Sequence, residues 1–174
     1  MFHVEEEPCL KVLVVYYSYS GITRAVAQTL REKTCGVLYG IETLKQYAKQ
    51  TVVEEAVQEL REGTLPALKH AIPSMTSYDF ILVGGPVWEY TTPSPLMTFL
   101  QSADFRGKKT AAFCTHEGGP GSFLADFKSQ AQNAETLDGL ELPFVRRTSP
   151  DVLDKNLTVW LEHIGLLKPL AAAI

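Results

Sequence analysis

Two apolar runs, Lys-Val-Leu-Val-Val-Tyr-Tyr at 11–17 and Asp-Phe-Ile-Leu-Val-Gly-Gly at 79–85, constrain this chain more than any other feature. A strand with one wet face alternates apolar and polar side chains. A run without that alternation is buried on both faces, as interior strands of a parallel sheet are. Parallel neighbours cannot be joined by a tight turn; they need a crossover of a dozen or more residues, usually a helix. The sequence supplies such crossovers. After the first run, Ile22, Ala25, Val26, Thr29 and Leu30 recur near helical spacing, which predicts a helix over 22–33 and the first half of a βαβ unit.

The rest of the chain repeats the alternation. A short second strand is predicted at 36–41. Val53, Ala56, Val57 and Leu60 mark a helix over 52–61 that Glu62-Gly63 ends. Pro66 and Pro73 make 65–77 a loop. Beyond the strand at 79–85, the pattern predicts a helix over 95–103, a fourth strand over 110–115, a helix over 122–132 and a region at 140–146 holding the fifth strand. An amphipathic helix over 151–164 closes the series, with Val152, Leu153, Leu157, Trp160, Leu161 and Ile164 toward the core. Strands alternating with helices give a doubly wound α/β sheet with right-handed crossovers.

The 174 residues, 45% hydrophobic, suit a single domain with a core at 11–165 and terminal extensions at 1–10 and 166–174. A net charge of -4, from 16 basic and 20 acidic residues, argues against nucleic acid and against a polybasic membrane patch. Cys9, Cys35 and Cys114 are odd in number and form no C-x-x-C or metal-ligand pattern, which fits a reducing compartment. The first residues carry Glu5, Glu6 and Glu7 instead of a basic region and an apolar core, and no apolar run approaches the roughly 20 residues of a membrane span. The expectation is a cytoplasmic protein with no membrane, nucleic-acid or metal partner.

Ligands of open parallel sheets bind outside the carboxyl ends of the strands. Three loops lie there. The first is Ser18-Tyr19-Ser20-Gly21-Ile22-Thr23, three hydroxyls and a glycine at a strand-to-helix turn. The first N–H groups of a helix lack intrahelical partners and carry the positive end of its dipole, so the turn reads either as a helix cap or as a phosphate cradle. The second, Pro86-Val87-Trp88-Glu89-Tyr90, puts two aromatic rings into a loop, where packing under the loop is the alternative to ligand contact. The third, Thr115-His116-Glu117-Gly118-Gly119-Pro120-Gly121, offers flexible backbone, or plain turns. A ligand with one phosphate and a flat heteroaromatic head would use all three, and FMN has that shape. No G-x-x-x-x-G-K-[ST] or G-x-G-x-x-G follows the first strand, and no G-x-S-x-G elbow is present.

On Ser-x-Ser-Gly-x-Thr, Gly-Pro-Val-Trp-Glu-Tyr and Thr-His-Glu-Gly-Gly-Pro-Gly, the chain resembles the flavodoxin-like family over nearly all of 11–164. Glu59-Leu60-Arg61-Glu62-Gly63, Pro66-Ala67-Leu68 and Tyr78-Asp79 resemble a bacterial flavodoxin subgroup. The resemblance implies a three-layer α/β/α fold on a five-stranded parallel sheet of order 2-1-3-4-5, binding FMN without a covalent link. It implies phosphate contacts from Ser18, Tyr19, Ser20, Gly21, Ile22 and Thr23. Pro86, Val87, Trp88, Glu89 and Tyr90 would flank the ring, and Thr115, His116, Glu117, Gly118 and Gly119 would meet its edge. Two features depart from the family pattern: Ile22 stands where flavodoxins often have Asn, and -4 is a mild charge for the family. Electrons would pass to redox partner proteins or to a small acceptor such as a quinone. An NAD(P)H-dependent quinone reductase of the same fold and a flavin-free binding module are the rival readings. Glu89 and Glu117, if near the ring, would disfavour its reduced anion.

Overall fold

The structure, a computed structural model, describes residues 10–168. Cys9 and most of the two predicted terminal extensions lie outside them. Strands and helices follow the chain as β1 (Val12–Tyr16), α1 (Ile22–Thr34), β2 (Val37–Gly40), α2 (Val52–Glu62), β3 (Phe80–Pro86), α3 (Ser94–Ser102), β4 (Lys109–His116), α4 (Phe123–Gln130), β5 (Glu135–Thr136), β6 (Leu140–Pro143) and α5 (Pro150–His163). The predicted elements are all present. Within the predicted loop at 65–77, Met75–Ser77 forms one 3-10 turn that buries Met75.

The sheet is parallel with order β2-β1-β3-β4-β5. Successive side chains of a strand point to opposite faces, so each apolar run feeds two cores. Leu13, Val15, Ile81, Val83, Ala112 and Cys114 pack with Leu96, Phe99 and Leu100 of α3 and Phe123 and Phe127 of α4. Val12, Val14, Leu82, Ala111 and Phe113 pack with Val26, Ala27 and Leu30 of α1 and Leu157, Trp160 and Leu161 of α5. The lack of alternation in β1 and β3 is therefore the imprint of helices on both faces. α2 lies beside α3, burying Val52, Ala56 and Glu59, and Gly63 ends it in the left-handed conformation, φ 68°.

The strand expected within 140–146 is present as β6, and the expected five-stranded sheet gains one more, because the short β5 ahead of it also pairs with β4 and makes six strands. β5 pairs at Lys109 and Thr110, and β6 at Phe113 to His116. Between them the Asp138 carbonyl accepts a hydrogen bond from Trp160 Nε1 of α5, 2.9 Å. Gly139 passes close to Leu124 and to the Ala112 carbonyl, where a Cβ would lie 2.5 and 3.0 Å away. Pro143, without an N–H, and Phe144, at φ 49°, end the pairing. Residues Val145–Arg147 then form a 3-10 turn.

Candidate functional site

The carboxyl ends of the strands open onto a cleft of about 660 Å³, lined by Ser18, Tyr19, Ser20, Ile22, Thr23, Pro86, Val87, Trp88, Thr115, His116 and Glu117. Its floor is the start of α1. Gly21 holds the left-handed conformation, φ 91°, and no side chain caps the helix. The first main-chain bond into α1 runs from the Ala25 N–H to the Gly21 carbonyl, 3.1 Å, so the N–H groups of Ile22, Thr23 and Arg24 precede it.

The hydroxyls of the first loop are arranged from within. Ser18 Oγ accepts the Gly21 N–H at 3.2 Å, which leaves its own proton available. Thr23, 1% exposed, shares a hydrogen bond with Thr115 at 2.8 Å, tying the first loop to the third. Two hydroxyls spend only one proton on each other, so one proton of the pair remains to be donated.

Trp88 forms the aromatic wall, with Tyr17 edge-on at 5.6 Å and Tyr19 edge-on at 6.3 Å. It is half-buried, packed on the core and facing the cleft together. After it the chain reverses sharply: Trp88 and Thr91 exchange main-chain hydrogen bonds at 3.1 and 3.0 Å. Glu89 and Tyr90 occupy the turn's centre with φ of 47° and 62°. This is the mirror-image turn that glycine and asparagine usually supply. It is locked to the third loop. The Tyr90 carbonyl accepts the Ser122 N–H at 2.8 Å, and it lies so close to Gly121 that a Cβ there would fall 1.8 Å from its oxygen. The Tyr90 ring rests over Gly118 and Gly119.

Behind the wall, Glu59 of α2 is 7% exposed and fully engaged. It accepts from Lys45 Nζ at 2.7 Å, from the Tyr47 hydroxyl at 2.7 Å and from Ser94 Oγ of α3 at 2.5 Å. Burial first, then the bond to Glu59, raises the Tyr47 hydroxyl well above its usual pKa. The Tyr47 carbonyl accepts the Tyr19 hydroxyl at 3.4 Å.

The sequence profile of the flavodoxin family matches residues 11–163. The chain belongs to the flavodoxin family. No curated protein matches it in sequence. Among solved structures it is similar to a candidate flavoprotein from Bacteroides eggerthii, with 25% identity, 89% of this chain and 98% of that one covered, and a TM-score of 0.75. A candidate flavoprotein from Bacteroides uniformis has 24% identity, 85% and 97% coverage and a TM-score of 0.73. A Lactobacillus acidophilus flavoprotein, solved in complex with FMN, has 21% identity, 76% and 93% coverage and a TM-score of 0.68.

In this flavodoxin the predicted residues divide into two groups. Ser18, Tyr19, Ser20, Ile22, Thr23, Pro86, Val87, Trp88, Thr115, His116 and Glu117 line one cleft. Gly21, Glu89, Tyr90, Gly118 and Gly119 do not line it; they shape or brace the loops that do. Sequence reasoning missed Lys49, Val52 and Val53, from the segment leading into α2, and Val145 and Arg146, from the turn after β6. The rule that drew attention to three carboxyl-end loops covers those after β2 and the edge strand as well, but nothing in the residue types there singles out Lys49 or Arg146.

Proposed function

We propose that the cleft binds FMN without a covalent link and that the chain works as an electron-transfer flavodoxin, passing electrons between redox partner proteins or to a small acceptor such as a quinone. The observation that carries this reading is that the start of α1, with no side-chain cap, and the Trp88 ring line the same cleft. The residues fit the group. A cleft of about 660 Å³ lies in the range that encloses a cofactor-sized ligand. Both ring nitrogens of His116 are buried and lack a protein partner among the described residues. A buried polar group left in that state costs roughly 1–3 kcal/mol, which the polar edge of a ligand relieves.

In this reading the N–H groups at the start of α1, with Ser18, Ser20 and the Thr23–Thr115 pair, hold the phosphate. Trp88 and Tyr19 bound the ring, and His116 and the main chain after Thr115 meet its edge. The flavin supplies the redox chemistry; the protein supplies binding, orientation and access. Adding oxidised FMN to flavin-free protein should quench the flavin fluorescence with one site per chain. Riboflavin, which lacks the phosphate, should bind at least about tenfold more weakly. Unquenched FMN defeats the reading. Steady NAD(P)H consumption with a quinone would instead assign the chain to the reductases of this fold.

A further inference from the structure

The charged side chains lining the cleft are Lys49, Arg146 and Glu117. Two cations against one carboxylate is the reverse of the chain as a whole, whose net charge is -4. Neither cation is spent elsewhere. Some cations of the described residues lean on carboxylates, as Lys33 does on Asp154, Lys45 on Glu55 and Glu59, and Lys69 on Glu42. Lys49 and Arg146 have no ion pair among the described residues. Glu89, the second carboxylate that the sequence placed near a ligand, does not line the cleft. The two cations come from different elements, one from the segment before α2 and one from the 3-10 turn after β6. Two separate parts of the fold thus add positive charge to a cleft that already holds the positive end of the α1 dipole.

We propose that Lys49 and Arg146 are affinity-setting residues that make the cleft prefer the reduced, anionic form of its flavin. The inference rests on the FMN reading above. Two electrons and one proton convert the neutral ring of oxidised FMN into a monoanion, whereas two electrons and two protons give a neutral reduced ring. Lys49 and Arg146 are exposed side chains at the cleft, and cations placed beside the ring stabilise the first product and leave the second untouched. The phosphate is ionised in every redox state, so a cation that served only the phosphate would favour oxidised and reduced FMN alike. The preference between redox states is therefore the quantity that separates the two roles.

The test measures dissociation constants of oxidised FMN and of dithionite-reduced FMN, under anaerobic conditions, for the unmodified protein and for Lys49→Gln, Arg146→Gln and Glu117→Gln. Each cation removed should weaken reduced FMN roughly threefold to tenfold more than oxidised FMN, and Glu117→Gln should shift the ratio the other way by a similar factor. Added salt should shrink the ratio in the unmodified protein, an arm that needs no variant to fold. Equal weakening of both forms, or an unchanged ratio in both cation variants, overturns the inference while leaving FMN binding intact. Failure of the unmodified protein to bind oxidised FMN overturns the earlier reading instead.

Discussion

Gly84 stands opposite Phe113 in the register of β3 and β4, and the ring folds over the space where a side chain would be. A Cβ at Gly84 would lie 2.1 Å from the Phe113 ring. The ring is fully buried and packed edge-on against Trp160 at 6.3 Å, so it cannot swing away cheaply. Gly84→Ala is expected to cost roughly 2–3 kcal/mol through overpacking, read as a lower urea midpoint with an unchanged slope. A loss below about 0.5 kcal/mol would mean that the ring has another resting place. At this scale the sequence was partly legible. Ser18, Trp88 and Thr115 could be picked out because their residue types and their position after apolar runs agree. Lys49 and Arg146 carry no such signal: a lysine in a polar stretch and an arginine beside another arginine look like ordinary surface charge. Only the path of the chain brings them to the cleft.

Between elements, the joint of α2 and α3 depends on one buried carboxylate. Glu59 gathers Lys45, Tyr47 and Ser94, and Ser94 is the fully buried first residue of α3, just past the loop that carries Trp88. Glu59→Ala strands the Tyr47 and Ser94 hydroxyls in the interior, and the expected loss is roughly 1–3 kcal/mol. Because Tyr47 holds the Tyr19 hydroxyl at the cleft, FMN affinity should fall as well. A variant with unaltered stability would show that water replaces the carboxylate at no net cost. Element boundaries in the sequence were readable wherever period and punctuation coincide, as at Gly63 after α2. The edge strand was not, because at its break the Asp138 carbonyl bonds to Trp160, 22 residues away, instead of to a neighbouring strand. Local pattern carries no trace of such a bond.

For the whole molecule, the buried ionisable groups set an alkaline limit. Burial pushes the Cys114 thiol up to about 12, helped by the charge of Glu141. Burial raises the Tyr17 hydroxyl as well, with Tyr47, Tyr19 and Glu59 adding to the effect. Folded pKa values above the unfolded ones mean that this stability is complete below the unfolded pKa and is lost as pH climbs through the interval toward the folded one. For the thiol that interval opens near 8.5, and for the tyrosine near 10. Each group that has ionised only in the unfolded chain should lower stability by about 1.4 kcal/mol per pH unit. The acid side is different. Glu42, held below the usual range chiefly by its bond to Lys69, and Glu55, held there by bonds to Lys45 and Thr51, have the opposite sign, with stability present at neutral pH and lost as pH falls. Both are open to solvent, so that loss should be small. Urea midpoints from about pH 3 to about pH 11 should therefore fall far more steeply at the alkaline end. A symmetrical profile would contradict this assignment. Taken alone, the sequence determined the layered α/β architecture and the approximate place of the ligand, because burial on two faces, helical period and turn chemistry are properties of neighbouring residues. The tertiary structure decided the split edge strand, the locking of Tyr90 onto the glycine loop and the cationic lining of the cleft. Each of these joins residues far apart in the chain, and only packing the sheet brings them within reach.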